Sequence, residues 1–240
     1  MRRHGIQGLG LLAVVGLTAG SILALARTPP EPTRYTRSHG SSLVTFDDAM
    51  SVWGRVPFVR EIWVAPDGSG RIHERDEPLM FPSEIERAEW LALGSPNAPA
   101  ISRSFGPGEL VYVRLDQISR DPYVLLQNLS ADGAGATEIL RRVVLLLYEN
   151  VPPPELTSAA VSALRQVPGI KVEDRGPLVT FIATDDTRGP RLQSTIVINL
   201  TTGQLVSETR VALTAIPSLS AKPPVLMLER MVDTTDLLNP

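Results

Sequence analysis

From Pro168-Gly169 to the C-terminus the apolar runs are joined by turns too short for a crossover, and this excludes a parallel sheet for that half of the chain. A parallel pair needs a connection of about a dozen residues or more, whereas antiparallel strands close through tight hairpins. Ile170-Lys171-Val172-Glu173 alternates, Leu178 to Ala183 reads as a buried strand, and Ser194 to Leu200 alternates again. Thr201-Thr202-Gly203 turns the chain into Leu205 to Leu213, and Val225 to Val232 supplies a last strand. Upstream lies a helical pair. Between Thr137 and Asn150, Ile139, Val143, Leu146 and Leu147 share one face, and Pro152-Pro153-Pro154 ends the run. A second helix spans about 155–167 with Leu156, Ala160, Leu164 and Val167 inward. The predicted class is α+β: a twisted antiparallel sheet with a helical hairpin packed on one face.

The first half adds a hairpin and two shorter helices. Val59 to Val64 and Arg71 to Arg75 alternate on either side of Ala65-Pro66-Asp67-Gly68-Ser69-Gly70, whose Asp and glycines supply turn geometry. Glu61, Trp63 and Ala65 fall on one face of the strand, with Arg60, Ile62 and Val64 on the other. Trp63 is then a sheet anchor, and the Pro66-to-Gly70 turn sets the register. The alternative places Trp63 in an exposed binding patch. Ser83 and Glu86 form a capping box for a helix that Gly94 ends, and Asp121-Pro122 opens another. Residues 95–120 read as irregular.

The N-terminus predicts export. Met1 to His4 is a basic start, and Gly5 to Ala26 follows without a charge. A helix of that length spans roughly 33 Å, enough for the hydrocarbon core. The flanking arginines orient residues 1–4 to the cytoplasm and the rest outside. Ala24-Leu25-Ala26 has the small-x-small form of a cleavage site, so a signal peptide released at that point is the alternative to a single-pass anchor. Residues 27–42, rich in Pro, Ser and Thr, read as a linker, 43–233 as the extracytoplasmic domain and 234–240 as a tail.

Composition narrows the chemistry. The absence of Cys excludes disulfides, thiol nucleophiles and Cys-held metals, and three His leave little imidazole to work with. A net charge of −3 argues against nucleic acid as a partner. Gly68-Ser69-Gly70 joins strands and so lacks the helix that a phosphate cradle needs, and Gly133-Ala134-Gly135 lacks the P-loop Lys. His73 has no nucleophile elbow beside it. Asp47-Asp48 and Asp185-Asp186 lack calcium-loop spacing. The reading therefore names no catalytic, cofactor-binding or metal residue. Trp63, Pro66, Asp67, Gly68, Gly70 and Arg71 are the candidate interaction or structural hairpin.

The run Arg60-Glu61-Ile62-Trp63-Val64-Ala65-Pro66-Asp67-Gly68-Ser69-Gly70-Arg71 resembles the best motif of an uncharacterised family of actinobacterial exported proteins. Arg120-Asp121-Pro122, Gln166-Val167-Pro168-Gly169-Ile170 and Ile198 to Leu205 are similar to three further motifs of that family, in the same order. The 21 Arg against two Lys suit a GC-rich bacterial gene. The resemblance implies one membrane helix and an extracytoplasmic domain like those of anti-sigma-type regulators or lipoprotein carriers. With four residues before the apolar run, no cytoplasmic sigma-binding domain fits. The function expected is a non-catalytic, membrane-tethered domain that binds or senses an envelope protein or lipid. The alternative is a carrier or sensor of a lipid or other apolar ligand, held between sheet and helices.

Overall fold

Thirteen consecutive residues, Thr33–Thr45, form the strand on which the sheet is assembled. A computed structural model describes residues 33–46, 52–65, 67–96, 102–106, 115–148, 152–187, 189–217, 219 and 221–238. The apolar run 5–26 lies outside these residues, and no described helix is long and apolar enough to cross a membrane.

The first strand, β1, is flanked by β2 (Trp53–Val64) on one side and by β9 (Val225–Leu238) on the other, both antiparallel. Beyond β2 lie β3 (Gly70–Asp76) and the short edge strand β4 (Ser102–Phe105). Beyond β9 lie β8 (Gln204–Ala212), β7 (Leu192–Asn199), β6 (Leu178–Asp185) and β5 (Ile170–Arg175). Nine described strands thus form one antiparallel sheet in the order β4-β3-β2-β1-β9-β8-β7-β6-β5. The architecture is α+β, with hairpins where the short turns predict them.

The described residues also form four α-helices: α1 (Glu84–Ala92), α2 (Pro122–Leu129), α3 (Ala136–Tyr148) and α4 (Pro154–Leu164). Ser83 caps α1, and the Asp121 carboxylate accepts from the Tyr123 and Val124 amides to cap α2. The hairpin of α3 and α4 supplies Leu140, Val143, Leu147, Leu156 and Leu164 to the core, against Val179, Phe181, Ile196 and Ile198 of the sheet. Ala160 and Ala163 are fully buried, so the small residues of α4 serve close packing.

Two boundaries differ from the sequence reading. Residues 33–42, expected in the linker, belong to β1, and the expected tail 234–240 begins inside β9, which runs to Leu238. The composition that mimics a tether has a packing reason. Thr36, Ser38, Gly40 and Ser42 lie beside Ile62, Arg60, Phe58 and Val56 of β2, so small residues face large ones. Thr36 and Ser38 are buried. β4 also lies in a stretch expected to be irregular, because four residues carry too little periodicity to be read.

Gly40 marks the tightest approach in the sheet. A Cβ built there would lie 1.9 Å from the carbonyl oxygen of Glu229 on β9. Backbone cannot give way as a side chain can, so Gly40→Ala should push β1 from β9 and lower stability by about 1–3 kcal/mol. Urea unfolding of the full chain measures this; an unchanged midpoint would show that the two strands tolerate separation.

Candidate functional site

Alternation along β2 turns Ile62 and Val64 toward α3 and α4 and leaves Trp63 on the opposite face. There Trp63 stands between Tyr35 of β1 and Arg71 of β3, its direct register partners. The Tyr35 and Trp63 ring centroids are 5.1 Å apart, and the Arg71 guanidinium carbon lies 3.9 Å from the Trp63 centroid. Trp63 is half-buried and Arg71 exposed. Trp63 is therefore not the core anchor of the hairpin; Ile62 and Val64, at 2% and 3% exposure, hold that role. The Tyr35 hydroxyl donates to Glu61 at 2.7 Å. Burial first, and then the Glu61 carboxylate, raise the Tyr35 phenol above its ordinary value.

The turn is built as its residues predict. Asp67 Oδ1 accepts from the Ser69 hydroxyl at 2.6 Å and the Ser69 amide at 2.8 Å, which together lower the Asp67 carboxyl. Gly68 takes φ +76°, in the left-handed region. Gly70 is the first residue of β3, opposite Val64 and Phe105. Pro66 lies outside the described residues. Beside the turn, Trp63, Ser69, Arg71, Ser104 and Phe105 line an open recess of about 350 Å³.

Elsewhere on this face His39, expected in the linker, is a β1 residue whose Nδ1 lies 2.7 Å from Asp233 Oδ1. Asp233 falls where the β1–β9 register shifts, and Arg37 Nε lies 3.7 Å from its other oxygen. Both partners are solvent-exposed at this surface pair. His73 is exposed opposite Glu61. Asp185 accepts from the Thr187 amide and hydroxyl in a turn, and Asp47-Asp48 lie outside the described residues. Among the described residues no group of three or more His, Asp or Glu could hold a metal.

The face under the helices holds a polar cluster that the sequence reading did not single out. Glu208 of β8, 2% exposed, accepts from Arg210 at 2.6 and 2.9 Å and from Arg230 of β9 at 3.2 Å. Arg230 also lies over the Tyr148 ring, 4.2 Å from its centroid, and the Tyr148 hydroxyl shares a 2.6 Å hydrogen bond with Ser38. The available signal was parity: Glu208 shares the inward face with Leu205 and Ile196 once the bulge between Val197 and Ile198 is allowed for. Above the cluster, Glu138 of α3 accepts from Arg141 at 2.7 Å and Arg142 at 3.0 Å. The Arg141 hydrogen bond, followed by that of Arg142, pulls its carboxyl down to about 2 against the opposing effect of burial. Glu138, Arg141, Asp185, Glu208 and Arg210 border a pocket of about 230 Å³ between α3 and the sheet.

The chain was compared with family models, curated proteins and solved structures, and none matches.

Two outcomes follow from the ionic residues. Glu208→Gln leaves Arg210 and Arg230 without their counter-charge and should cost about 3 kcal/mol; chemical unfolding that shows no loss would mean that water already reaches the arginines. Glu138 titrates lower in the folded chain than when unfolded, so its contribution is full above about pH 4.5 and fades as pH falls toward 2. Stability measured across that window should fall less steeply in Glu138→Gln than in the parent.

Proposed function

We propose that this chain is a non-catalytic binding or sensing domain of a bacterial envelope, tethered to the membrane by residues 5–26 with its sheet domain outside the cytoplasm. The observation that carries the reading is the Tyr35–Trp63–Arg71 stack, a half-exposed aromatic and cationic strip on the sheet face away from α3 and α4. Aromatic and Arg side chains are the groups most enriched where proteins recognise partners, because they offer large area with few rotamers. The strip adjoins the recess at Ser104 and Phe105, which gives a partner somewhere to seat. The uncharged run 5–26, longer than a signal peptide's apolar core, and its flanking arginines support the anchor; export with release after Ala26 is the alternative.

The alternative, a carrier holding an apolar ligand between sheet and helices, has less support. That layer is filled by Val143, Leu147, Ala160 and Phe181, and the 230 Å³ space beside it is rimmed by charges. An acyl chain finds no apolar channel there.

A photo-crosslinker at Ser104 of the full chain, expressed in its host, tests the reading. A single crosslinked envelope component should appear in the membrane fraction and be lost in Trp63→Ala and Arg71→Ala. The Trp63 change should lower stability by about 1 kcal/mol, against the 3–5 typical of a fully buried aromatic. Equal crosslinking by Trp63→Ala would reject the strip as the binding surface, and a soluble species beginning at Arg27 would reject the anchor.

A further inference from the structure

We propose that a cleft at the end of the sheet opposite the Trp63 hairpin binds an amphiphilic anion, an apolar tail carrying a carboxylate or phosphate head. The inference rests on the binding-domain reading above and names a ligand class and a site for it. The cleft is about 700 Å³, lined by Trp53, Arg55, Pro82, Lys222, Pro224 and Leu226. That volume lies within the range of small-molecule sites, about 300–1,000 Å³.

Two of its lining residues, Trp53 and Arg55, carry a buried donor that has no partner among the described residues. Trp53, the first residue of β2, is 8% exposed, and its indole Nε1–H is buried without an acceptor among the described residues. Arg55 lies two residues on and faces the same way. One of its terminal nitrogens donates to the Ser41 hydroxyl, while its Nε–H is buried and likewise lacks an acceptor. A buried donor gives up its bond to water and is favoured only when another acceptor replaces it. Two such donors side by side define a place for an acceptor that the described residues do not supply.

Charge selects the sign of that acceptor. Lys222 adds a second cation at the rim. One acid, Glu86, also lines the cleft and accepts the Ser83 hydroxyl, so two cations stand against one carboxylate. A cationic head would meet Arg55 and Lys222, whereas a carboxylate or phosphate accepts from the indole and the guanidinium in charge-assisted bonds. The remaining walls, Pro82, Pro224, Val225 and Leu226, are apolar and suit a short hydrocarbon tail.

The three tryptophans make the test specific. The Trp90 indole already donates to the Pro96 carbonyl at 3.0 Å, so its resonance serves as an internal reference. The full chain, labelled with ¹⁵N at the indoles and held in phosphatidylcholine nanodiscs, is titrated with octanoate and octyl phosphate. Octanol, octyltrimethylammonium and inorganic phosphate are run in parallel, with empty nanodiscs as the partition control. Both octyl anions should move the Trp53 indole proton downfield to saturation and leave Trp90 in place. Octanol and inorganic phosphate should bind at least about tenfold more weakly, since each lacks one half of the recognition. Arg55→Gln and Lys222→Gln should each weaken octyl phosphate by about tenfold while the three indole resonances keep their folded dispersion.

A Trp53 resonance unmoved at millimolar octyl anion overturns the proposal. So does octanol or octyltrimethylammonium binding as tightly as the anions, and inorganic phosphate binding equally well overturns the tail. Cell fractionation separates this failure from that of the reading beneath it. A chain found in the envelope without a Trp53 response removes only the cleft, whereas a chain found in the cytosol removes the tethered-domain reading whatever the titration gives.

Discussion

The double pairing of β1 is the constraint on which the rest of the structure depends. Among the described strands, β2 to β4 and β5 to β9 are joined within the sheet through this one strand, which pairs with β2 along nearly its whole length and with β9 from Thr33 to Ser42. Along that stretch β1 has a paired strand on each side, which directs its backbone donors and acceptors at partners apart from the bulge at Arg37 and Ser38. Only small residues allow it, since Gly40 lies against the Glu229 carbonyl and Ser38 is sealed beneath Tyr148. The Ser38–Tyr148 bond also fixes the last residue of α3 over the seam, so helix layer and sheet are joined where the two halves meet.

Next to that seam sits the costliest group in the core. Burying Glu208 beside Arg230 removes two charges from water, while Arg210 stays partly exposed, and a well-packed apolar set would serve stability as well or better. What the trio supplies is register. A one-residue slip of β8 against β9 would carry Glu208 to the other face and leave Arg230 buried alone beside Tyr148. The cluster therefore penalises the pairings nearest the native one, in a strand pair already disturbed by a bulge between Arg210 and Val211.

The two faces of the sheet consequently have different chemistry. The face under α3 and α4 is closed by aliphatic packing and by the ionic plug, with little room for a guest. Its opposite carries the Tyr35–Trp63–Arg71 strip at one end and Trp53 with Arg55 at the other. At the first end the Arg71 guanidinium lies over a half-buried ring, and at the second Trp53 and Arg55 border the cleft. This asymmetry is why recognition is assigned to the uncovered face.

The elements with strong local signals were legible in the sequence: the short turns after Pro168-Gly169, the capping of α1 and α2, the apolar stripe of α3, and the Asp67-Gly68 turn. Each depends on neighbours within a few residues, so composition and period suffice to read it. What the tertiary structure alone decided depends on residues far apart in the chain. Residues 33–42 read as a polar tether by composition and become the central strand because β2 and β9, some twenty and two hundred residues away, need small inward side chains between them. Ser38 and Tyr148 lie 110 residues apart, and Trp53 and Lys222 are likewise far apart in the chain, so no local signal joins either pair. Trp63 reads as a sheet anchor from the alternation alone, yet it lies on the face away from α3 and α4, since a period of two fixes which residues share a face but not which face the helices will cover.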